Sequence, residues 1–170
     1  MAITGLNVEN EIKKFIWYIH NIKKMSGNTE LSYERDLKKM ASYFDEMHIQ
    51  DVGSITETNL NSYMLYLERN RFAPSTVSRS VASIRAFFQF LCKEHTIEED
   101  PAESLRPPKV EKKLPEILTV EEVDLLLEQP SVNTPKGIRD RAMLELLYAT
   151  GIRVSELIHL KMDDLNLVIG

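Results

Sequence analysis

The segment RDRAMLELLYATGIRVSEL, residues 139–157, predicts two helices separated by Thr150-Gly151. Glycine adopts positive φ angles without steric cost, so the backbone can turn sharply at Gly151. The turn is expected to place Arg153 in the first turn of the second helix. Free backbone N–H groups there favour an anion, and a guanidinium can grip a phosphate through two hydrogen bonds. Glu156, on the same helical face, can hold the arginine in place. An exposed Arg–Glu pair without a functional role fits the same spacing.

The part of the chain before this segment contains four amphipathic helical patterns. Apolar side chains recur at intervals of three and four residues in four stretches, at about residues 8–25, 29–47, 57–70 and 74–94. Ser26-Gly27-Asn28 is expected to end the first helix, Thr56 to cap the third, and Pro74 to open the fourth. Short polar turns join these helices. The pattern predicts a compact four-helix bundle.

A proline-rich stretch follows the bundle. It begins at Asp100-Pro101 and includes further prolines among basic residues. Because proline cannot continue a helix and restricts the residue before it, we predict an extended linker over residues 98–116. Thr119 and Glu122 then have the spacing of a capping box that starts a short helix.

The last part of the chain predicts more helix and the beginning of a sheet. Helices are expected at about residues 137–149 and 153–160, and the apolar run at residues 165–169 is suited to the start of a strand. We therefore predict an all-α protein in which the bundle and the linker precede the first helices of a mixed α+β domain.

Composition limits the class of protein. The hydrophobic fraction of 43% is typical of a globular protein, and no apolar run is long enough to span a bilayer. The single cysteine, Cys92, excludes an internal disulfide, and the N-terminus shows no secretory signal, so a cytoplasmic location is expected. No histidine spacing suggests a metal site, and no metal or cofactor is expected. The net charge of −5 argues mildly against a nucleic-acid ligand.

One face of the fourth helix nevertheless has the character of a DNA-contacting surface. Opposite its apolar stripe this face combines small side chains with hydroxyl, amide and guanidinium donors, and no acidic residue interrupts it. The candidate DNA-binding residues on it, expected to be exposed, are Ser75, Ser78, Arg79, Arg85 and Gln89. Arg35 on the second helix and Lys109 in the linker are weaker candidates. A solvated face with no ligand is the alternative.

Five patches in order along the chain resemble the tyrosine recombinases of the Xer type, a bacterial integrase and recombinase family. They are Thr29-x-x-x-Tyr33-x-x-Asp36-Leu37, residues 76–91 with Ile84-Arg85-Ala86-Phe87, the linker prolines, Leu118-Thr119 with Glu122-Val123, and residues 139–157. The resemblance implies a core-binding, SAM-like DNA-binding domain at residues 1–97, an interdomain linker at residues 98–116 and the start of a catalytic domain at residues 117–170.

The resemblance also implies a chemistry. In this family a tyrosine attacks the scissile phosphate, forms a 3′-phosphotyrosyl link and releases a 5′-hydroxyl, without metal or nucleotide. Arginines, a lysine and a histidine-type residue stabilise the charge that develops. Arg153 matches the first catalytic arginine, and Glu156 matches its supporting acid. The family's lysine, its His-x-x-Arg motif and its tyrosine have no counterpart here, because Tyr148 precedes Arg153. We therefore expect a natural or engineered truncation that does not cleave DNA alone.

The partners that the resemblance implies are a double-stranded recombination site, on the bacterial nucleoid, and other recombinase protomers, four of which assemble on DNA in the family. Two alternatives remain open from the residues. One is a non-catalytic helical DNA-binding regulator. The other is a helical protein-interaction module, which the acidic charge suits.

Overall fold

The structure is a computed structural model, and it describes residues 7–109 and 116–164. Within these residues the secondary structure is seven α-helices and two short 3-10 turns, and no strand occurs among them. The predicted all-α class is confirmed for this part of the chain, and the strand predicted at residues 165–169 lies outside it. The helices are α1 (Val8–Asn21), α2 (Gly27–Glu46), α3 (Glu57–Arg69), α4 (Pro74–Lys93), α5 (Val120–Glu128), α6 (Pro135–Thr150) and α7 (Val154–His159).

The chain divides into two compact units, residues 1–112 and residues 113–170. The first unit contains α1 to α4. The second unit contains α5 to α7.

Side-chain caps fix where the helices of the first unit begin. The Oδ1 atom of Asn7 accepts hydrogen bonds from the backbone N–H groups of Glu9 at 3.0 Å and of Asn10 at 3.2 Å, at the start of α1. Thr56 caps α3 as predicted, and Asn59 completes a reciprocal capping box with it. Each cap satisfies backbone donors that have no partner inside the helix.

Helix α1 is shorter than predicted. It ends at Asn21 rather than near Met25, and Lys24 then adopts a positive φ of 51°. Ser26, which was predicted to end α1, instead caps α2, because its hydroxyl accepts a hydrogen bond from the backbone N–H of Thr29 at 3.3 Å. Serine favours both turns and helix N-termini, so its type alone does not separate the two roles.

Helix α4 packs against all three other helices of the first unit. Every residue of its predicted apolar stripe is buried, and so are several residues beside the stripe. The buried positions of α4 are Val77, Ser80, Val81, Ser83, Ile84, Phe87, Phe88, Phe90 and Leu91. The ring of Phe15 on α1 lies 5.6 Å from that of Phe87 and 5.5 Å from that of Phe90, centroid to centroid. The core therefore leaves only a narrow strip of α4 at the surface.

Part of the predicted linker belongs to the bundle core. Ala102 and Leu105 are buried, and the Oδ1 atom of Asp100 accepts a hydrogen bond from the backbone N–H of Ala102 at 2.8 Å. An extended linker over residues 98–116 therefore does not describe residues 98–105. The reason is that the two apolar side chains complete the core, while the prolines around them only exclude a helix.

A buried ion pair connects α2 to α4. The Nε and Nη2 atoms of Arg79 donate hydrogen bonds of 2.9 Å each to the two carboxylate oxygens of Asp36. Asp36 is 1% exposed, whereas the Arg79 side chain is 41% exposed. Hydrogen bonding to Asp36 raises the pKa of Arg79 above its usual value. Arg79 is thus less exposed than predicted, because its guanidinium closes over a buried carboxylate on the neighbouring helix.

Three tyrosines connect α2 to α3. The ring of Tyr43 lies 5.2 Å from that of Tyr63 and 4.8 Å from that of Tyr66, centroid to centroid. The Tyr63 hydroxyl is buried and has no hydrogen-bond partner among the described residues. Burial, with a further contribution from the negative charge of Asp36, raises the pKa of Tyr63 well above its usual value. Tyr63 is therefore a neutral phenol.

The second unit follows the predicted helix signals. The backbone N–H of Thr119 donates to Glu122 Oε2 at 2.8 Å, and the backbone N–H of Glu122 donates to the Thr119 hydroxyl at 3.2 Å, which completes the predicted capping box of α5. Helix α6 ends at Gly151, whose φ of 66° is the left-handed conformation expected there.

Few side chains of the second unit are buried. Among residues 116–164 only Gly137 and Leu157 fall in the buried class. The large exposed apolar residues are Ile117, Leu118, Val120, Leu125, Leu126, Val132, Ile138, Tyr148, Val154, Ile158 and Met162. Apolar side chains exposed in this number can be covered by another segment or chain.

Breaking the ion pair is expected to destabilise the first unit. Arg79→Gln leaves the Asp36 carboxylate buried without its charged partner, and we expect the free energy of unfolding to fall by about 3 kcal/mol, the lower end for a buried pair because Arg79 is partly solvated. Urea unfolding followed by circular dichroism measures this. The matched control Arg85→Gln is expected to cost less than about 1 kcal/mol. Equal losses in the two variants would contradict this role of the pair.

The left-handed residues after the helices give a second stability prediction. Lys24, His48, Arg71 and His95 all have positive φ angles. His48→Gly is expected to raise the free energy of unfolding by about 0.5–1 kcal/mol, because glycine adopts φ near 60° without the clash of a Cβ atom. The control Ala82→Gly, at an exposed position inside α4, should lower it by about 1 kcal/mol. Thermal unfolding distinguishes the two signs, and a destabilised His48→Gly variant would contradict the expectation.

Candidate nucleic-acid interface and active-site arginine

Most of the exposed and half-buried residues of α4 form one strip, here called the α4 strip. Its members recur at intervals of three and four, and they are exposed or half-buried. They are Ser75, Ser78, Arg79, Ala82, Arg85, Ala86, Gln89 and Lys93. All five predicted residues of the fourth helix lie on this strip. Helix α4 contains no acidic residue at all, so every charge that it presents to solvent is positive.

The two arginines of the strip differ in their surroundings. Arg79 is bound to Asp36 through one edge of its guanidinium. Arg85 is half-buried, and it makes no ion pair within the described residues. Because the charge of Arg85 has no protein partner there, it is the stronger attraction for a phosphate. Arg79 offers directed donors, with a charge that Asp36 largely offsets.

Lys93 extends the α4 strip beyond the residues predicted from the sequence. Its Nζ atom donates a hydrogen bond to the Tyr18 hydroxyl at 3.2 Å and lies 5.3 Å from the centroid of that ring. The signal was present, because Lys93 follows Gln89 by four residues and so lies on the same helical face. The strip therefore ends in a lysine that Tyr18 holds against the bundle.

The two weaker candidates lie outside α4. Arg35 is exposed on α2. Its neighbour Glu34 forms an ion pair with Lys38, with an Nζ–Oε1 distance of 2.7 Å. Asp36 is directed to Arg79 and does not neutralise Arg35 on the outer face. Lys109 is exposed beyond the last buried residue of the first unit. The structure does not join either residue to the α4 strip through a hydrogen bond or an ion pair.

The predicted Arg153–Glu156 pair is present in the second unit. Arg153 is the N-cap of α7 rather than a residue of its first turn, since it has extended backbone angles. Its backbone N–H donates to Glu156 Oε2 at 2.7 Å, and its Nη1 atom donates to Glu156 Oε1 at 3.2 Å. The Arg153 side chain is 82% exposed. Glu156 thus holds both the backbone and the guanidinium of Arg153, while most of the guanidinium surface stays open.

Two geometric findings apply to the part of the chain that the structure describes. No group of three or more histidine, cysteine, aspartate or glutamate side chains there is arranged to hold a metal ion. No helix there is both long and apolar enough to cross a membrane. Burial raises the pKa of the Cys92 thiol, which disfavours its reactive thiolate form.

Comparison with known proteins identifies both parts of the chain. Residues 12–95 match the family model described as the phage integrase N-terminal SAM-like domain, and residues 116–170 match that of the phage integrase family. The tyrosine recombinase XerD of Staphylococcus aureus is 42% identical over 96% of this chain and 55% of its own length. The tyrosine recombinase XerC of Herpetosiphon aurantiacus is 38% identical over 95% of this chain and 53% of its own length. The chain thus spans about half the length of these relatives.

Solved structures have the same fold. The integrase of the Tn1549 transposon, in a complex with circular intermediate DNA, superposes with a TM-score of 0.70 at 20% identity, over 96% of this chain and 52% of that protein. The N-terminal domain of a phage integrase/site-specific recombinase from Haloarcula marismortui matches 61% of this chain and 97% of its own, with a TM-score of 0.56 at 16% identity. Two adjacent family models and close relatives over nearly the whole chain agree, and the chain belongs to the phage integrase family of tyrosine recombinases.

Proposed function

We propose that this chain is the DNA-binding portion of a site-specific tyrosine recombinase and that the α4 strip contacts the duplex. The observation that carries the proposal is the acid-free surface of α4 in a chain of this family. The DNA complex of the Tn1549 integrase, which has the same fold, supports a DNA partner. The interpretation as a protein-interaction module has no comparable support.

The residues of the α4 strip suit two kinds of DNA contact. The hydroxyl groups of Ser75 and Ser78 and the guanidinium of Arg79 are donors for backbone phosphates, which position a protein on the duplex. Arg85 and Gln89, one turn apart, carry the groups that recognise guanine and adenine edges in the major groove. Ala82 lies on the same strip three residues before Arg85, and its small side chain allows close approach. Arg35 and Lys109 supply further phosphate contacts in this proposal.

The acidic net charge sets the strength of the interaction. With a net charge of −5, most of the surface repels DNA, so that binding depends on a few basic residues. Each phosphate contact adds close to one unit to the slope of log affinity against log salt. Binding by this chain alone is therefore weak, and it falls steeply as salt rises.

In the recombination reaction we assign Arg153 to the scissile phosphate and Glu156 to the orientation of Arg153. Glu156 holds Arg153 by its backbone N–H and by the Nη1 atom of its guanidinium. The other N–H donors of the guanidinium can therefore bind the phosphate oxygens, where negative charge develops during cleavage. Tyr148 lies in α6 and precedes Arg153 in the chain, and we assign it no part in cleavage. Cleavage through a tyrosine, assembly with other protomers on DNA, and a location on the bacterial chromosome in the cytoplasm are further parts of the proposal.

The DNA-binding proposal predicts a residue-specific loss of affinity. Arg85→Glu should weaken binding of a fluorescent duplex by about tenfold or more, because it removes a base-edge contact and replaces a positive charge of the strip with a negative one. Fluorescence anisotropy at a fixed low salt concentration measures the affinity. The control Arg69→Glu changes the charge equally on α3 and should have a smaller effect. Equal effects of the two variants would reject the α4 strip as the interface.

The assignment of Arg153 predicts a defect in rate rather than in affinity. A chimera in which residues 1–170 replace the matching part of the Staphylococcus aureus recombinase XerD should cut a nicked substrate and become covalently linked to it. Arg153→Ala in this chimera should reduce the cleavage rate by about a hundredfold or more and change site binding little, because the lost contact stabilises the transition state. Glu156→Ala should have a smaller effect. Normal cleavage by the Arg153→Ala chimera would show that Arg153 and Glu156 are an exposed ion pair without a catalytic role.

A further inference from the structure

The geometry of Arg79 divides its guanidinium into a used edge and a free edge. Of the five N–H donors of a guanidinium, the one on Nε and one on Nη2 are directed at the two oxygens of Asp36, both at 2.9 Å. The second donor on Nη2 and one donor on Nη1 form the other edge. No hydrogen bond among the described residues uses this edge, and the side chain is 41% exposed.

We propose that Asp36 is a positioning residue for DNA binding: it holds one edge of Arg79 so that the free edge donates two hydrogen bonds to a backbone phosphate. The inference rests on the proposed DNA-binding function of the α4 strip. Asp36 is 1% exposed and does not itself meet the DNA. Arg79 thus bridges a buried carboxylate on α2 and a phosphate outside the protein.

Two physical consequences favour this arrangement over a free arginine. An arginine side chain loses rotamer freedom when it binds, and a guanidinium that is already fixed by two hydrogen bonds loses less. The planar fork also sets the direction from which a phosphate approaches, whereas an unrestrained side chain accepts many directions. The buried carboxylate therefore contributes orientation while its own oxygens stay away from the DNA, at the cost of offsetting part of the positive charge of Arg79.

A lysine cannot take the place of Arg79 in this arrangement. Its ammonium is a single point charge without the two separate donor edges of a guanidinium, so it cannot engage a carboxylate and a phosphate through two hydrogen bonds each. Asparagine at position 36 has nearly the shape of aspartate, but it presents an amide NH₂ group to one of the Arg79 donors. Asp36→Asn therefore releases the guanidinium from its fixed orientation.

The experiment is a double-mutant cycle on DNA affinity. Asp36→Asn and Arg79→Lys should each weaken binding of the duplex by about tenfold, and the double variant should bind no more weakly than Arg79→Lys alone, because Asp36 acts only through Arg79. The Asp36→Asn loss should come without a lower salt slope, since no positive charge is removed. Leu67→Ala, a core substitution on α3, provides a destabilised control that should bind normally below its unfolding temperature.

The outcomes separate this inference from the DNA-binding proposal. If Arg85→Glu weakens binding but Arg79→Lys does not, the positioning role is wrong and the α4 strip stands. If Asp36→Asn is equally harmful on the Arg79→Lys background, Asp36 acts through the fold alone. If Asp36→Asn does not fold, the DNA affinities of Arg79→Lys and Leu67→Ala still test the proposal. Equal affinities of these two variants would overturn it. If the unaltered chain does not bind the duplex even at low salt, the DNA-binding function itself is rejected.

Discussion

The burial of α4 among three neighbouring helices is the constraint on which the first unit depends. Side chains from Val77 to Leu91 fill the space between α1, α2 and α3, and the aromatic rings of Phe87 and Phe90 contact Phe15. A helix buried so widely has little freedom to rotate or shift, because either movement exposes apolar surface and opens cavities. The position of its exposed strip is therefore set by the core. Rigid placement of this kind suits a surface that must match a fixed ligand shape.

The Asp36–Arg79 pair links that core to the surface. Its acidic member is sealed inside the bundle, and its basic member reaches the outside on the α4 strip. A buried carboxylate is tolerated only when its hydrogen bonds are made, and both oxygens of Asp36 accept one from Arg79. The Tyr63 hydroxyl, whose pKa is raised in part by the charge of Asp36, lacks such a partner among the described residues.

The sequence allowed the helices to be predicted because their stripes, caps and breaks are local. Thr56, Thr119 and Gly151 act within a few residues of themselves, and each has the predicted role. Asp36 also carried a local signal, since it precedes Met40 by one helical turn and so faces the core. Its partner lies 43 residues away, and no periodicity identifies such a pair. The burial of Ala102 and Leu105 was missed for the same reason, because it depends on packing between distant segments.

The candidate site was predictable to the same extent. The face of α4 and the Arg153–Glu156 contact follow from helical spacing, and the structure places their residues accordingly. Helical spacing does not show which side-chain donors already have a partner in the fold. It places Arg79 and Arg85 at opposite edges of the same exposed face, but it does not show that Arg79 is bound by a carboxylate while Arg85 has no ion pair within the described residues.

The enclosure of α4 also limits how such a protein can diverge. Substitutions at its core-facing positions disturb the packing of three helices at once, whereas substitutions at the exposed Ser75, Ala82 and Gln89 leave that packing intact. A substitution of Arg79 alone leaves the Asp36 carboxylate buried without its charged partner, so changes at these two positions are expected to occur together. A combinatorial library confined to the outward positions would therefore sample new surface chemistries on an unchanged scaffold. Such a library is small enough for exhaustive screening, and its members would differ in recognition rather than in folding.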